Sequence, residues 1–480
     1  MHRLLLPLLL LVVALGGPRA ARADTPPDIV LISMDTTRAD ALSCYGEVPG
    51  LTHPRPEVTP NLDALAAQGA RFARFYAHAP TTLNSHTSMF TGLDPHGHAV
   101  PRNGFPVPDG VTTLAERLQA AGYDTIAVLA SAALEHGMGL DRGFRVYDDH
   151  FDLDIGMMVQ DRASGVLGRA RADLAGREKG KPLFLFVHFY DAHQPYDPPE
   201  PYRSRFEDPA YHGPYGDQAR HLGPLRRALL DGTADPADVD EVAALYLGEV
   251  AYVDATIGAL LDLLGSEGVL DHAVVVVLAD HGEVLGELPV HAYTHGDDVS
   301  DGAMHIPLIV RGYGVPLAEH AVIHSQAGMA GVAPTLEALA GLAPDLGRGV
   351  PFLDLLSPGP IRDEDGWPSR PTRPVVMEAT RPHIAAVAPA WNNLDLWRGI
   401  RAGGFVVRAY PRFRIGPTLD AAPAGTPDPT DAPMRAVLAR LLEAWDATAP
   451  PFRAERLSPS TREALERLGY LDGSQDGDDP

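Results

Sequence analysis

Apolar runs and helical periods alternate along this chain, and the clearest apolar runs end on a carboxylate. Ala273–Ala279 is apolar throughout and holds four valines in succession. That composition predicts a strand buried on both faces, as in a parallel sheet. The run Ile29-Val30-Leu31-Ile32 predicts a second such strand, from Asp28 to Met34, and stretches 125–130, 182–190 and 306–310 predict three more. Stretch 71–76 alternates apolar and polar, which is the half-buried strand pattern. Between these lie predicted helices. Thr59-Pro60 opens one, with Pro at the first helical position, and Gly69 closes it. Others span 113–121, closed by Gly122, then 151–177, 241–264 and 333–340. In the 241–264 helix Tyr246, Glu249, Val253 and Ile257 recur at steps of three and four, which predicts an amphipathic face. Strand and helix in alternation predict a doubly wound, mostly parallel α/β sheet flanked by helices.

Two regions break the alternation. Residues 195–240 are rich in Pro, Gly and charge, and predict a long excursion over one face of the sheet. Beyond about residue 345, Pro and Gly are frequent and Trp391, Trp397 and Phe405 sit in short alternating runs. Stretches 394–402 and 404–410 flank Gly403 as a hairpin, and Ser460-Thr461-Arg462-Glu463 is a capping box. The expected organisation is a leader at 1–23, a catalytic domain at 24–345, a small α+β subdomain at 346–472 and a disordered acidic tail at 473–480.

Composition narrows the function. Across 480 residues the formal net charge is −24, which argues against a nucleic-acid partner. An anionic substrate must then be drawn in locally, against the field of the whole chain. Arg3, the apolar stretch 4–15 and the small-x-small sequence Ala21-Arg22-Ala23 form a secretory leader. They predict export to the periplasm or the exterior, with no stable membrane span after cleavage. No later segment reads as long and apolar enough to span. Cys44 is the only cysteine, so no internal disulfide forms, and it reads as a small buried residue.

The chemistry gathers at strand ends. Asp280-His281-Gly282-Glu283 follows the valine strand, and Asp35 follows the first strand. Open α/β sheets place ligands at that end of their strands. Two carboxylates and an imidazole suit a divalent cation, although Asp-His-Gly on its own would also make a turn. A third segment, Pro80-Thr81-Thr82-Leu83-Asn84-Ser85-His86, carries hydroxyls and an imidazole into a helix expected to start near Ser85. A helix N-terminus favours a bound oxyanion. Cation, hydroxyl and oxyanion site together point to in-line attack on phosphorus or sulfur. No Gly-x-Ser-x-Gly elbow for acyl transfer lies near these residues.

These three motifs, in this order, resemble the sulfatases of the alkaline phosphatase superfamily, from about Asp28 to about Leu342. In that family the nucleophile lies nine residues before a Thr-Gly pair, which here is Thr91-Gly92 and points to Thr82. The resemblance implies Asp35, Asp280 and His281 as metal ligands, Thr82 as nucleophile, and His193 and His295 binding or protonating the ester. It also implies His86 and His188 as substrate-binding groups, with Asp191, His193 and His295 as candidates for a second cation. Arg38, three residues after Asp35, could bind a substrate oxyanion bidentately and could equally pair with Asp40 or cap a loop. The chain departs from the family pattern at three places. The family nucleophile is Cys or Ser, and its Cys is oxidised to formylglycine; Thr82 carries a Cβ methyl, so oxidation would give a ketone and formylglycine is not expected. Asn84 and His86 stand where the pattern has Pro and Arg. Thr36 stands where a second Asp is usual, which disfavours Ca²⁺ relative to Zn²⁺ or Mn²⁺. The expected substrate is a small-molecule, glycan or lipid ester of sulfate or phosphate. A phosphotransferase moving a lipid head group and a non-catalytic binding protein are the other readings. Glu249 and Asp254 read as structural, His96 and His98 as loop residues, and His291 and His305 as surface or strand-lining groups.

Overall fold

The computed structural model describes residues 25–46, 56–151, 153–155, 158–216, 219, 221–358, 374–380, 396–402, 405–409 and 432–450. The leader, the Gly403 turn, Trp391, the capping box at Ser460 and the acidic tail lie outside the described residues.

The strands are β1 Asp28–Met34, β2 Ala70–Phe72, β3 Phe75–Tyr76, β4 Asp124–Val128 and β5 Val146–Asp148. They continue as β6 Leu153–Ile155, β7 Met158–Gln160, β8 Leu183–Phe189, β9 Ala273–Ala279 and β10 Leu308–Tyr313. The last are β11 Ala321–Ile323, β12 Ala327–Gly328, β13 Val375–Thr380, β14 Leu396–Ala402 and β15 Phe405–Ala409. Eight of them form one sheet in the order β11-β2-β10-β9-β1-β8-β4-β5. From β9 through β5 every pairing is parallel, whereas β10 runs antiparallel to both β9 and β2.

The valine strand is buried along its whole length. Alternate residues feed two different cores. Val274 and Val276 pack with Ile29 and Phe184 on one face. Val275 and Val277 pack with Val30 and Leu185 on the other. A fully buried valine contributes about 1.5–3 kcal/mol, so no face of this strand tolerates charge until it ends. Register then sets the site. Met34 lies beside Ala279 on one side and Phe189 on the other, so Asp35, Asp280 and Tyr190 emerge together at the same sheet edge.

Several expectations are corrected. Stretch 71–76 is two short strands in different sheets, because β3 leaves β2 to pair with β12. Only Ala163–Ala175 of the 151–177 stretch is helical; β6 and β7 pair with each other ahead of it. Thr113 makes the capping box of the Leu114–Ala120 helix. By contrast, Thr59 does not cap the Pro60–Gln68 helix; its hydroxyl donates to Asp63. Asp254 accepts from the N–H groups of Asn61 and Leu62 instead.

The 241–264 helix runs from Pro236 to Ser266, with Asp235 accepting from Ala237 N–H at its start. By length and composition it could cross a membrane, contrary to the sequence expectation that no later segment could, but 72% of its apolar window is buried in this fold. It is the central core helix of one face, which explains why its apolar residues exceed one stripe. The excursion contains helices Tyr202–Phe206 and Gly223–Leu230.

β13, β14 and β15 form an antiparallel sheet. The Ala432–Asp446 helix covers it through Leu438 and Leu442 on Ile400 and Val407. His96 belongs to the short Pro95–His98 helix, not a loop, and joins this subdomain to the main sheet domain. Its Nε2 lies 3.0 Å from Glu378 Oε2, and its ring stacks on Trp445 at 3.7 Å.

Candidate active site

The C-terminal edge of β1 and β9 carries Asp35, Asp280 and His281, all buried. Each offers one ligating atom, and these atoms lie within 4.8 Å of one another. Asp280 Oδ1 accepts from the backbone N–H of Thr36 at 3.2 Å and of His281 at 2.7 Å. His281 Nδ1 donates to Gly282 O at 3.0 Å, which leaves Nε2 as the lone-pair nitrogen. Burial holds the His281 ring down to about 3, so it is neutral near pH 7. Burial and the adjacent Asp35 charge push Asp280 well above the usual carboxylate range. Burial also opposes ionisation of Asp35, but the hydrogen bond with His188 outweighs it together with neighbouring imidazoles, and Asp35 is held low.

The donor set fits a divalent cation. Asp35 Oδ1, Asp280 Oδ2 and His281 Nε2 are buried and make no hydrogen bond. Three buried polar atoms converging without partners are costly unless a ligand satisfies them. Two hard oxygens and one imidazole nitrogen suit a cation of the Zn²⁺ or Mn²⁺ kind.

The Thr82–Thr91 helix packs end-on against this group. It begins at Thr82, three residues before the position the sequence suggests, with Thr81 as its cap residue. Ser85 Oγ donates to Asp280 O at 2.6 Å and fixes the helix against β9. His86 Nδ1 donates to Thr82 O at 2.7 Å and lies 3.6 Å from Asp280 Oδ2. Its Nε2 accepts from Ser33 Oγ at 2.9 Å. Burial holds the His86 ring down to about 3, so a neutral group occupies this place. Thr82 is buried and its Oγ1 makes no hydrogen bond. The N–H of Leu83 is taken by Asn103 Oδ1 at 2.7 Å, so one of the donors at this terminus is already used.

His188 Nε2 lies 3.3 Å from Asp35 Oδ2, and its ring meets His86 edge-on at 5.0 Å. His193 and His295 face each other at 4.9 Å, and His295 is 4.6 Å from the His281 ring. Burial holds His193 down to about 4. Burial would lower His295 too, but Glu283 at 3.3 Å outweighs it and raises the ring above its ordinary value.

Two sequence candidates are placed elsewhere. Asp191 turns away from His193 and His295: its Oδ1 accepts from Ala163 N–H at 3.2 Å and lies 3.7 Å from Arg162. Arg162 also holds Glu249, so this is a buried ion network and not a cation site with the two histidines. Strand β8 ends at Phe189, two residues before Asp191. Every guanidinium nitrogen of Arg38 is already held by another partner. Its guanidinium forks onto Asp40 with two bonds of 2.8 Å and donates to Glu283 O and Glu287.

Two residues escaped the sequence reading. Tyr246 Oη accepts from Arg38 N–H at 3.1 Å and donates to Thr36 O at 2.9 Å. It clamps a turn in which Thr36 has φ of +49°, a conformation that β-branched residues avoid. Glu283 is buried, accepts from Tyr196 Oη at 3.2 Å and holds His295. Its signal was present, because it completes the motif that starts at Asp280.

The overall fold is that of a solved phosphonate monoester hydrolase from Agrobacterium radiobacter, with a TM-score of 0.63 at 22% identity over 88% of this chain and 95% of that one. The family match and the curated relatives set the class as the alkaline phosphatase superfamily of ester hydrolases. Residues 27–342 match the family model described as Sulfatase, and the chain belongs to the sulfatase family. It is similar to an arylsulfatase of Clostridium perfringens, 25% identical over 390 residues, spanning 69% of this chain and 78% of the relative. A choline-sulfatase of Rhizobium meliloti is 26% identical over 370 residues, spanning 66% and 69%. Membership sets the chain among the hydrolases of sulfuric and phosphoric esters.

Proposed function

We propose that this protein hydrolyses sulfate or phosphate esters by in-line attack of Thr82. The observation that carries the reading is the Thr82 hydroxyl: it is buried without a hydrogen bond, at the first residue of the helix that Ser85 and His86 hold against Asp280. Asp35, Asp280 and His281 would hold a divalent cation, Zn²⁺ or Mn²⁺ in preference to Ca²⁺. Bound there, it would lower the pKa of a nearby hydroxyl and offset charge on the ester oxygens. Thr82 Oγ1 gives up its proton to solvent water and attacks the phosphorus or sulfur atom. The bond to the leaving-group oxygen breaks, and that oxygen takes a proton from His295, whose hold on a proton Glu283 strengthens. Water then attacks the same phosphorus or sulfur atom, leaving its oxygen there and passing a proton to Thr82 Oγ1 as that bond breaks, and His295 regains a proton from solvent. No formylglycine is needed. We further read the chain as exported, on the strength of its first 23 residues.

The test is turnover of matched aryl sulfate, phosphate monoester and phosphodiester substrates with Zn²⁺, Mn²⁺ or Ca²⁺, beside Thr82→Ala. The expected result is turnover lost by a factor of about 10³ or more in the variant, as nucleophile removal predicts. Turnover unchanged by the substitution would remove Thr82 from the mechanism.

A further inference from the structure

A cavity of about 470 Å³ opens to solvent between the segments that follow His193 and precede His295, within the size range of small-molecule sites. Two of its lining residues are chain neighbours of the site histidines. Gln194 lines it, and Gln194 O accepts from His193 Nδ1 at 2.7 Å. Thr294 lines it opposite, one residue before His295. The outer wall is the Gly223–Leu230 helix of the excursion, bearing Arg226 and preceded by His221.

The charge in this cavity is unlike that of the chain. The whole protein is at −24, yet among the described residues no carboxylate lines the cavity, and the titratable side chains that do are His221, Arg226 and Tyr293. Arg226 is half-buried and makes no ion pair among the described residues. Its Nη2 donates to Val290 O at 2.9 Å, which ties the guanidinium to the 289–291 turn. The facing wall is set by backbone bonds: Tyr293 N–H donates to Val284 O at 2.5 Å, with Tyr293 at φ of +56°. Strained, over-determined backbone of this kind recurs at ligand clamps.

We propose that this cavity receives the leaving group of the ester and that Arg226 selects a leaving group bearing an anionic substituent, such as a carboxylate. The proposal rests on the reading of the neighbouring centre as an ester-hydrolysing site. A guanidinium pairs with a carboxylate through charge-assisted, often bidentate bonds. The substituent keeps its charge through the reaction, so Arg226 acts on ground state and transition state alike. Its effect therefore falls on KM, with little on kcat.

The experiment uses the full chain with Mn²⁺ or Zn²⁺, and its Arg226→Ala and Arg226→Lys variants. Each is given a nitrophenyl ester and the same ester with a ring carboxylate. Binding of the two product phenols is measured in parallel by calorimetry, which needs no turnover. In the wild type the carboxylated ester should show a KM lower on the order of tenfold, from one charged hydrogen-bonded pair. Arg226→Ala should bring the ratio of the two KM values to about one, with the ratio of kcat values as in the wild type, and Arg226→Lys should restore part of the preference. Equal KM values in the wild type, or a preference that survives Arg226→Ala, would overturn the proposal and leave the hydrolase reading standing. If no ester is turned over, the hydrolase reading fails, and calorimetry decides the cavity. Tighter binding of the carboxylated phenol that depends on Arg226 supports the site, and equal binding of both phenols overturns it.

Discussion

Asp280→Asn should make the metal-free protein more stable near neutral pH, while removing its capacity to hold a cation. Asp35 and Asp280 are buried, with ligating atoms no more than 4.8 Å apart. At an effective dielectric of about 20, two such charges repel by about 3–4 kcal/mol. Burial and Asp35 push the Asp280 pKa upward, so the metal-free fold favours its protonated form. In the unfolded chain the same group ionises near about 3.9. The native state therefore binds more protons than the unfolded state above that pH. Stability falls as pH rises, by about 1.4 kcal/mol per unit, until the Coulomb limit is reached. Asparagine takes up no proton, and its Oδ1 can keep the bonds from Thr36 and His281 N–H. Its amide can donate toward His281 Nε2, which lies 3.5 Å from the replaced oxygen. The gain should be absent near pH 4 and about 3 kcal/mol at pH 7.5. Unfolding entropy of about 2.1 cal/mol/K per residue makes that about 3 °C for a chain of 480 residues. Thermal melts of chelator-stripped protein from pH 4 to 8 read the gap. Adding Mn²⁺ or Zn²⁺ should raise the wild type alone and reverse the order. A stripped variant no more stable than wild type at pH 7.5, or a gap that ignores pH, would refute the shared carboxylate site.

Three further outcomes follow from the same geometry. Tyr246→Phe leaves Arg38 N–H and Thr36 C=O buried without partners; it should cost about 2–4 kcal/mol and weaken cation binding on calorimetric titration by loosening the Asp35–Thr36 turn. Glu283→Gln removes the charge that lifts His295 against its burial. If His295 donates the proton, kcat/KM falls as pH rises through its pKa, so the alkaline limb of the pH–rate profile should move to lower pH in this variant. Asp191→Asn should leave cation stoichiometry unchanged, because Asp191 faces Arg162; a lost equivalent in metal analysis would restore it as a ligand.

The sheet was readable because its strands are buried on both faces, so their apolar runs admit no polar residue until the end. The first carboxylate after each run then had to mark the same sheet edge, and the Met34–Ala279 register shows why Asp35 and Asp280 meet. The Thr82 helix was readable from its spacing to Thr91-Gly92, but not its first residue, since nothing in local sequence distinguishes a start at Thr82 from one at Ser85. What failed locally depended on distant partners. Arg38 could reach an oxyanion or Asp40, and Glu283 O and Glu287, 245 and 249 residues away, complete the choice. Asp254 caps a helix 192 residues earlier, which no pattern within that helix records. Stretch 151–177 reads as one helix because β6 and β7 are three residues each, too short for a period to emerge. Tyr246 reads as one more apolar position on a core helix, and only its tertiary position reveals the hydroxyl between Thr36 and Arg38.

The two departures from the sulfatase pattern at Thr36 and His86 make sense together. One removes a carboxylate and the other removes a guanidinium, so the formal charge of the site is unchanged. The remaining pair, Asp35 and Asp280, balances a divalent cation, and His86, held down to about 3 by burial, adds no charge. Thr36 keeps the backbone of the ligand it replaces: its N–H still binds Asp280 Oδ1, and its φ of +49° is one that Asp accepts more readily than Thr. H86R alone would set a fixed positive charge where His86 Nδ1 now lies 3.6 Å from Asp280 Oδ2, competing with the cation and weakening its binding. T36D alone would add a third carboxylate, tighten cation binding and shift preference toward Ca²⁺, which favours oxygen-rich shells. Combined, the two changes should offset each other, with a coupling of about 1–3 kcal/mol. Calorimetric titration of Mn²⁺ and Ca²⁺ into the four proteins of this cycle measures it. Strict additivity would mean that the two positions do not share one electrostatic site, and that the neutral His86 is a packing choice independent of the lost carboxylate.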